Sequence, residues 1–436
     1  MLNVRMPDGA RMIIDRLSEA GIRSWLVGGC VRDMLRHRLP NDWDIAAGAN
    51  PEEIVAALEG LTVIPTGIKH GTVTVVTEEE CFEVTACRCD GEYKDMRRPD
   101  SVSFTNSIES DLSRRDFTIN AMAYSEKDGL IDLFGGRADL NKGIIRCVGD
   151  PTRRFSEDAL RIMRALRFSS ELGFEIEENT AAAAFALKDN LDAVSQERKL
   201  SELRRLLLGS QATRVLIDYR DIILKLMPEC EGLVGLAHRV GNPDDLWTHC
   251  ARSVDLAPQK FNVRLAALLR DIGKPYCKRE GDVFANHALV GAQIAEHMLR
   301  RMTLDRAALR ETVTLIANHS LVPEADEKII KRLLNKLGAG TLLDLYNLRR
   351  CDRTAHMDER EREELEAVEN AYVMTRRIIE RGDCYMLSTL DIHGEDLMKL
   401  GFSGADIGTE LNRLLMLVID GECPNKRDEL LKRVNK

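Results

Sequence analysis

The sequence predicts an α+β protein: a sheet-bearing head over residues 1–145, then helices to the C-terminus. Three observations carry this reading. Short β-type runs occur only in the first third, at Trp25 to Val27, Thr72 to Val76 and Cys81 to Thr85, the last two flanking Glu78 to Glu80 as in a hairpin. From Ser156 onward the apolar residues take helical spacing, as in Leu160, Met163, Ala165, Leu166 and Phe168. Breakers at Pro228, Gly232, Gly235, Gly241 to Pro243, Pro323 and Gly338 to Gly340 then cut the remainder into helical groups, and Asp358 to Leu365 reads as an exposed charged helix.

Within the head, Trp25 to Val27 reads as a short buried strand, Gly28-Gly29 as a turn whose amides can approach an anion, and Val31 onward as a helix. Asp42 and Asp44 follow. The stretch Trp43 to Ala46 is extended by pattern, and alternate strand side chains share a face, so the two carboxylates point the same way. A glycine turn ahead of paired oxygen ligands is suited to a triphosphate with Mg²⁺, and points to metal-assisted nucleotidyl transfer.

Bulk properties bound the alternatives. A chain of 436 residues with 44% hydrophobic content builds real cores over roughly three domains. No apolar run is long enough to span a bilayer and Met1 to Arg16 lacks the apolar centre of a signal peptide, so a cytoplasmic location without a membrane partner is expected. Eleven cysteines without a paired Cys-x-x-Cys framework read as buried thiols, Cys87 and Cys89 included. A net charge of −9 argues against generic nucleic-acid binding and requires a local basic surface, for which Arg97-Arg98, Arg114-Arg115, Arg153-Arg154 and the series Arg161, Arg164, Arg167 are candidates.

Further motifs follow the glycine turn and the acidic pair in order: Arg114 to Ala123, Asp132 to Gly136, Arg154 to Arg161 and Glu197 to Glu202. Together they closely resemble the class II tRNA nucleotidyltransferases of the poly(A) polymerase superfamily, and specifically the bacterial CCA-adding enzymes. His393 to Gly408 resembles the tail of the Gram-positive type. The resemblance implies a seahorse-shaped array: a nucleotidyltransferase palm head at 1–145, a helical neck with the nucleotide-recognition helix at 146–215, a helical body at 216–360 and a helical, tRNA-binding tail at 361–436. It also implies template-independent addition of CTP and ATP to the 3′ end of tRNA lacking its CCA.

On the residues, Asp42 and Asp44 are the candidate catalytic and metal ligands for Mg²⁺, and Glu83 is the nearest candidate for a third carboxylate. Gly28, Gly29 and Arg32 are assigned to the triphosphate by loop amides and a guanidinium fork, while Asp33 orients locally. Arg115 supplies a guanidinium for phosphate and Asp116 a carboxylate for ribose hydroxyls, a role the resemblance supports; Asn120 is read as a structural hydrogen-bonding residue. Asp158 and Arg161, three apart, are expected on one helical face, an acceptor beside a donor. That order matches the Watson-Crick edges of cytosine and adenine and is inverted in uracil and guanine. Glu157, Glu197, Arg198 and Glu202 are supporting residues. Arg88, Asp90, Glu92, Tyr93, Asp95 and Arg97 to Pro99 resemble the flexible loop that CC-adding relatives lack, which argues for A addition.

In the body, Ala266 to Pro275 resembles the signature helix of the HD metal-dependent phosphohydrolases, with His249, Asp271, His287, His319 and Asp352 as the accompanying residues. Arg270 stands where that superfamily has histidine. Losing an imidazole and gaining a permanent cation disfavours a divalent metal, so an HD-like domain with weak or absent hydrolase activity is expected. His297 and His356 carry no comparable pattern. The competing functions are A-only addition, poly(A) polymerase activity and, from another class, an HD phosphohydrolase or a tRNA-binding protein with an idle head.

Overall fold

The structure, a computed structural model, describes residues 6–68, 71–77, 80–91, 100–237, 244–277, 279–280, 283–322, 324–352 and 359–435. The chain forms two compact units, Met1–Pro228 and Glu229–Lys436.

The first unit opens with α1 (Asp8–Glu19), β1 (Ser24–Val27), α2 (Gly29–Leu35), β2 (Asp44–Ala47), α3 (Pro51–Ala57), β3 (Thr62–Gly67), β4 (Thr72–Val76) and β5 (Cys81–Ala86). A small ribbon of β6 (Arg88–Asp90) and β7 (Val102–Phe104) leads to α4 (Ile108–Ser113), β8 (Met122–Ser125), β9 (Gly129–Asp132) and α5 (Gly136–Lys142). Seven strands form one sheet in the order β3-β4-β5-β2-β1-β8-β9, antiparallel except where β2 lies parallel to β5. The expected hairpin is present as β4 and β5, with Val73 opposite Val84; Glu78 and Glu79 lie outside the described residues.

Local chemistry sets these elements. Asn50 closes a reciprocal capping box on α3 with Glu53, and Pro51 follows at the first helical position, where its missing N–H costs nothing. Trp25 and Val27 of β1, Ala46 of β2 and Ala123 of β8 pack with Ile108 and Leu112, which seats α4 against the strands that carry the site. The helix expected from Val31 begins two residues earlier, at Gly29, because Gly28 adopts φ +75° and turns the chain at once.

The unit continues through β10 (Ile144–Ile145), α6 (Pro151–Glu157), α7 (Leu160–Leu172), β11 (Glu175–Ile176), α8 (Glu178–Ala186), α9 (Gln196–Leu208), α10 (Ala212–Asp218) and α11 (Arg220–Leu226). The helical expectation is met except for a two-stranded parallel pair, β10 with β11, too short to show as periodicity. Helix α7 packs along α9, and Ile162, Met163, Ala165 and Leu166 are buried there.

The second unit is helical apart from the short hairpin of β12 (Arg279–Glu280) and β13 (Val283–Phe284). Its helices are α12 (Leu246–Leu256), α13 (Phe261–Leu269), α14 (His287–Arg301), α15 (Arg306–Asn318), α16 (Glu327–Leu337), α17 (Ala339–Cys351), α18 (Glu359–Glu380), α19 (Gly394–Lys399), α20 (Ala405–Ile419) and α21 (Arg427–Lys432). The apolar helix α13 is central, packed by α12, α15 and α17. The charged helix α18 still buries Val368, Ala371 and Ile378 against α16 and α17, while Leu397, Leu414, Leu415 and Leu430 form a separate small core. No helix among the described residues is long and apolar enough to cross a membrane.

Candidate active site

A cavity of about 620 Å³ opens in the first unit between the sheet and helices α7 and α9. Gly28, Gly29 and Arg32 border it from the β1–α2 turn, Asp42 and Asp44 from the start of β2, Glu83 from β5, Arg115, Asp116 and Asn120 from the segment after α4, and Asp158, Arg161 and Arg198 from the helices. Guanidinium groups outnumber carboxylates along its walls, so a chain of negative net charge presents a locally basic cleft.

Asp44 begins β2 and is half-buried, whereas Asp42 lies in the bend before the strand and is exposed. The parallel register places Asp44 beside Glu83, whose side chain is also exposed. Burial raises the Asp44 carboxyl above its ordinary range, Arg115 opposes that rise, and Glu83 and Asp42 reinforce it. Asp42 and Glu83 thus both act on Asp44, although the three do not bring their ligand atoms within 4.8 Å of one another; unrelieved negative charge of this kind, on hard oxygen donors in a basic cleft, is what a divalent cation offsets.

Arg115 reaches the glycine turn. A Cβ added at Gly28 would lie 2.7 Å from its Nη1 and 3.7 Å from Asp44 Oδ2, so even alanine there fills the space between guanidinium and carboxylate. Arg32 donates Nη1–H to Asn120 Oδ1 at 2.9 Å and pairs with Asp33 through Nε and Nη2, also at 2.9 Å. Asn120 Nδ2 donates to Asp116 Oδ1 at 3.3 Å, and Asp116 Oδ2 accepts from Arg164 Nε at 2.7 Å. A chain of hydrogen bonds thus runs from the turn to α7. Asp116 is buried and its Oδ1 also takes the Phe117 amide; burial pushes its carboxyl up, but Arg164 and these bonds prevail and hold it down at about 2. The Phe168 ring lies beneath the guanidiniums of Arg32, Arg164 and Arg167.

Asp158 and Arg161 depart from the expected geometry. They do not share a helical face, because α6 ends at Glu157 and Asp158 adopts φ −142°, ψ 104° before α7 begins. Asp158 sits in the break between the helices instead, its Oδ1 accepting from the Leu160 amide at 3.1 Å, while Arg198 donates to its Oδ2 at 3.0 Å. Arg161 pairs with Glu157 at 2.8 Å and also donates to the carbonyls of Arg154 and Arg114. Acceptor and donor still border one cavity, but the helix break, not helical spacing, places them there. Glu202 braces α7 through Arg167 at 2.8 Å, whereas Glu197 is exposed on α9, outside these pairs. Burial lowers the Arg167 guanidinium to about 10 despite Glu202. Arg88 and Asp90 are paired at 3.1 Å, and Glu92 to Pro99 lie outside the described residues.

One polar residue escaped sequence reasoning. Asp111, buried on α4, accepts from both Arg114 and Arg115. Its signal was present: a carboxylate three and four residues ahead of two arginines at a helix end.

In the second unit the HD-like residues divide into two groups. Asp352 Oδ1 takes His249 Nε2 at 2.8 Å and Arg270 Nη2 at 2.7 Å. Asp271, His287 and His319 bring their ligand atoms within 4.8 Å of one another, and among the described residues no other trio of His, Cys, Asp or Glu does so. Lys274 sits 2.9 Å from Asp271 Oδ1, and Arg270 Nε lies 3.7 Å from its Oδ2. Both imidazoles turn Nδ1 to backbone carbonyls, His287 to Phe284 and His319 to Ile316. Burial lowers His319 to about 4 in spite of Asp271. His297 is exposed, and His356 lies outside the described residues. The cysteines are free thiols, eight of them buried.

A head sheet bearing a glycine turn, an acidic cluster and a basic cleft defines a nucleotidyltransferase, a class of enzyme that generally works with divalent metal ions. Residues 24–146 match the family model described as Poly A polymerase head domain, and residues 173–229 that described as Probable RNA and SrmB- binding site of polymerase A. Similar proteins include the CCA-adding enzyme of Pediococcus pentosaceus, 32% identical with 98% of each chain covered, and that of Bacillus velezensis, 33% identical over 96% of this chain and 95% of the relative. The crystal structure of the Bacillus stearothermophilus CCA-adding enzyme in complex with CTP matches with a TM-score of 0.72 at 28% identity, covering 98% of both chains. The chain belongs to the family of CCA-adding enzymes.

Proposed function

We propose that this protein completes tRNA 3′ ends, adding CCA from CTP and ATP without a nucleic-acid template, in the cleft lined by Asp42, Asp44 and Glu83. One observation carries the reading: the acidic cluster and the Asp158–Arg161 pair border the same cavity, so one nucleotide can meet both. Relatives bearing the name CCA-adding enzyme, one of them solved with CTP, support the substrate assignment.

Asp42 and Asp44, with Glu83 as the third carboxylate, would hold Mg²⁺. When bound, the ions supply charge neutralisation of the triphosphate and activation of the attacking 3′-hydroxyl. The chain's own residues do the remainder. Arg115 and the Gly28 and Gly29 amides cradle the triphosphate, and Arg32, tied to Asn120, holds the turn beneath it. Asp116, locked by Arg164, faces the ribose. Asp158 accepts from the exocyclic amino group of cytosine or adenine while Arg161 donates to the ring nitrogen beside it. Arg198 and Glu157 hold the two side chains in place. The four-part division into head, neck, body and tail, with a tRNA-binding tail, belongs to the same proposal.

The deciding experiment supplies CTP and ATP, separately and together, with tRNA ending at the discriminator base, tRNA ending in CC, or an unrelated RNA, and sequences the products. Full CCA on the first substrate is expected. A added only to the second identifies an A-adding enzyme, and extension of the unrelated RNA identifies a poly(A) polymerase. Asp158→Ala is expected to impair use of CTP and ATP together; intact discrimination against UTP and GTP in that variant refutes the base-reading role.

A further inference from the structure

Asp111 is 1% exposed, yet it bonds to no partner of its own kind of depth: both of its partners are arginines on the wall of the cleft. Its Oδ1 accepts from Arg114, with Nε at 3.0 Å, and its Oδ2 accepts from Arg115 Nε at 3.2 Å and Nη2 at 3.1 Å. A buried carboxylate that binds two guanidiniums is a costly arrangement unless it is anchored. Here the anchor is visible. Ile108, one turn before it on α4, and Leu112, the residue after it, are buried among Trp25, Val27 and Ala46, the strand residues near the Gly28 turn and Asp44. Asp111 is therefore fixed to the same sheet that carries the reactive groups.

The consequence falls on Arg115. With Nε and Nη2 spent on Asp111, the guanidinium turns Nη1 toward Gly28, where a Cβ would meet this nitrogen at 2.7 Å and Asp44 Oδ2 at 3.7 Å, so guanidinium and carboxylate flank the same turn. Two carboxylates therefore compete for one cation, and the buried one holds it by two hydrogen bonds. We propose that Asp111 is a positioning residue that keeps Arg115 aimed at the triphosphate and off Asp44, leaving the acidic cluster free to take a divalent ion. The inference rests on the reading of Asp44 as a metal ligand and of Arg115 as a triphosphate ligand. Without Asp111, Arg115 relaxes onto the cluster and occupies by charge the place of the metal.

Two equilibrium affinities on the full-length protein test this without turnover: Mn²⁺ binding followed by electron paramagnetic resonance, and CTP binding in chelator followed by calorimetry. Asp111→Asn is expected to weaken both by about tenfold, the scale of a lost charged hydrogen bond. The double variant Asp111→Asn/Arg115→Met is expected to regain wild-type Mn²⁺ affinity while binding CTP no worse than Arg115→Met alone, a reversal of sign that general loosening of the fold does not produce. Because Asp111→Asn leaves two guanidiniums without their buried partner, the charge-balanced Asp111→Asn/Arg114→Met variant is measured beside it, with thermal melting to confirm folding and the same weakening of both ligands expected. Folded variants that bind Mn²⁺ and CTP as the wild type does overturn the proposal, as does a double variant that stays weak for Mn²⁺. Asp44→Asn serves as the reference. If it leaves Mn²⁺ binding intact, the reading of the site itself fails; if it abolishes binding while the Asp111 variants change nothing, only the role of Asp111 fails.

Discussion

In the cleft of the first unit, Asp42 and Glu83 are exposed and Asp44 is half-buried, whereas in the second unit His249, Arg270, Asp271 and His319 are all buried. Both regions gather acidic and basic side chains around one point. In the cleft burial raises the Asp44 carboxyl, and the neighbouring Glu83 and Asp42 add to that rise. Around Arg270 each carboxylate already has its cation: Arg270 on Asp352, which also hydrogen-bonds to His249, and Lys274 on Asp271, with both carboxyls held below their ordinary range although burial opposes it. A site prepared for a ligand leaves charge uncompensated and reachable, and a structural network neutralises it internally.

That contrast is open to breakage. The largest effect is expected at Arg270→Met, which leaves Asp352 and Asp271 short of a buried partner; urea unfolding should show a loss of about 3–5 kcal/mol. A loss below about 1 kcal/mol means the network is not the internally neutralised structure described. Next comes Asp44→Asn, expected to slow nucleotide addition at least about 100-fold, comparable to removal of a key electrostatic group, with the fold intact by circular dichroism. Near-normal addition removes Asp44 from the chemistry.

A smaller effect is expected at Arg164→Met, which frees Asp116. Because Asp116 is held down at about 2, its ionised form stabilises the folded state fully above its unfolded value near 3.9, and that contribution is lost as pH falls toward 2. The variant should therefore lose on the order of 2 kcal/mol at neutral pH and show a flatter decline of stability between about pH 4 and 2. An unchanged acid profile dismisses the Arg164–Asp116 pair as the cause. The least effect belongs to Arg153→Ala: its pair with Glu157 is solvent-exposed on the arginine side, and both stability and addition rate should stay within about 0.5 kcal/mol of wild type. A larger change points to a contact with substrate.

The same contrast shows what was legible beforehand. Gly28-Gly29 and Asp44 are legible directly because turn and strand are local rules, and the sheet honours them in β1, β2 and the β4–β5 hairpin, whereas Asp42 lies in the bend before β2, outside the strand alternation expected to place it. Arg270 was legible as a departure, since a cation at a ligand position is visible in one letter, but its partner Asp352 lies 82 positions away. Asp158 and Arg161 border one cavity for a reason that spacing along the chain does not carry, because the backbone breaks between α6 and α7. The chain Arg32–Asn120–Asp116–Arg164 and the stacking of three arginines on Phe168 were not legible, for they join residues from α2, the turn before β8, and α7.

By itself the amino-acid sequence determined the α+β class, the order of sheet and helices, the turn with its acidic pair, and membership of a family through motifs in a set order. Those features depend on neighbours within a few residues, where backbone sterics, side-chain alternation and helical periodicity act. Tertiary structure alone decided which carboxylate each arginine serves. Buried ion pairs form between side chains brought near by packing, and their choice of partner depends on distances and desolvation that no spacing along the chain records.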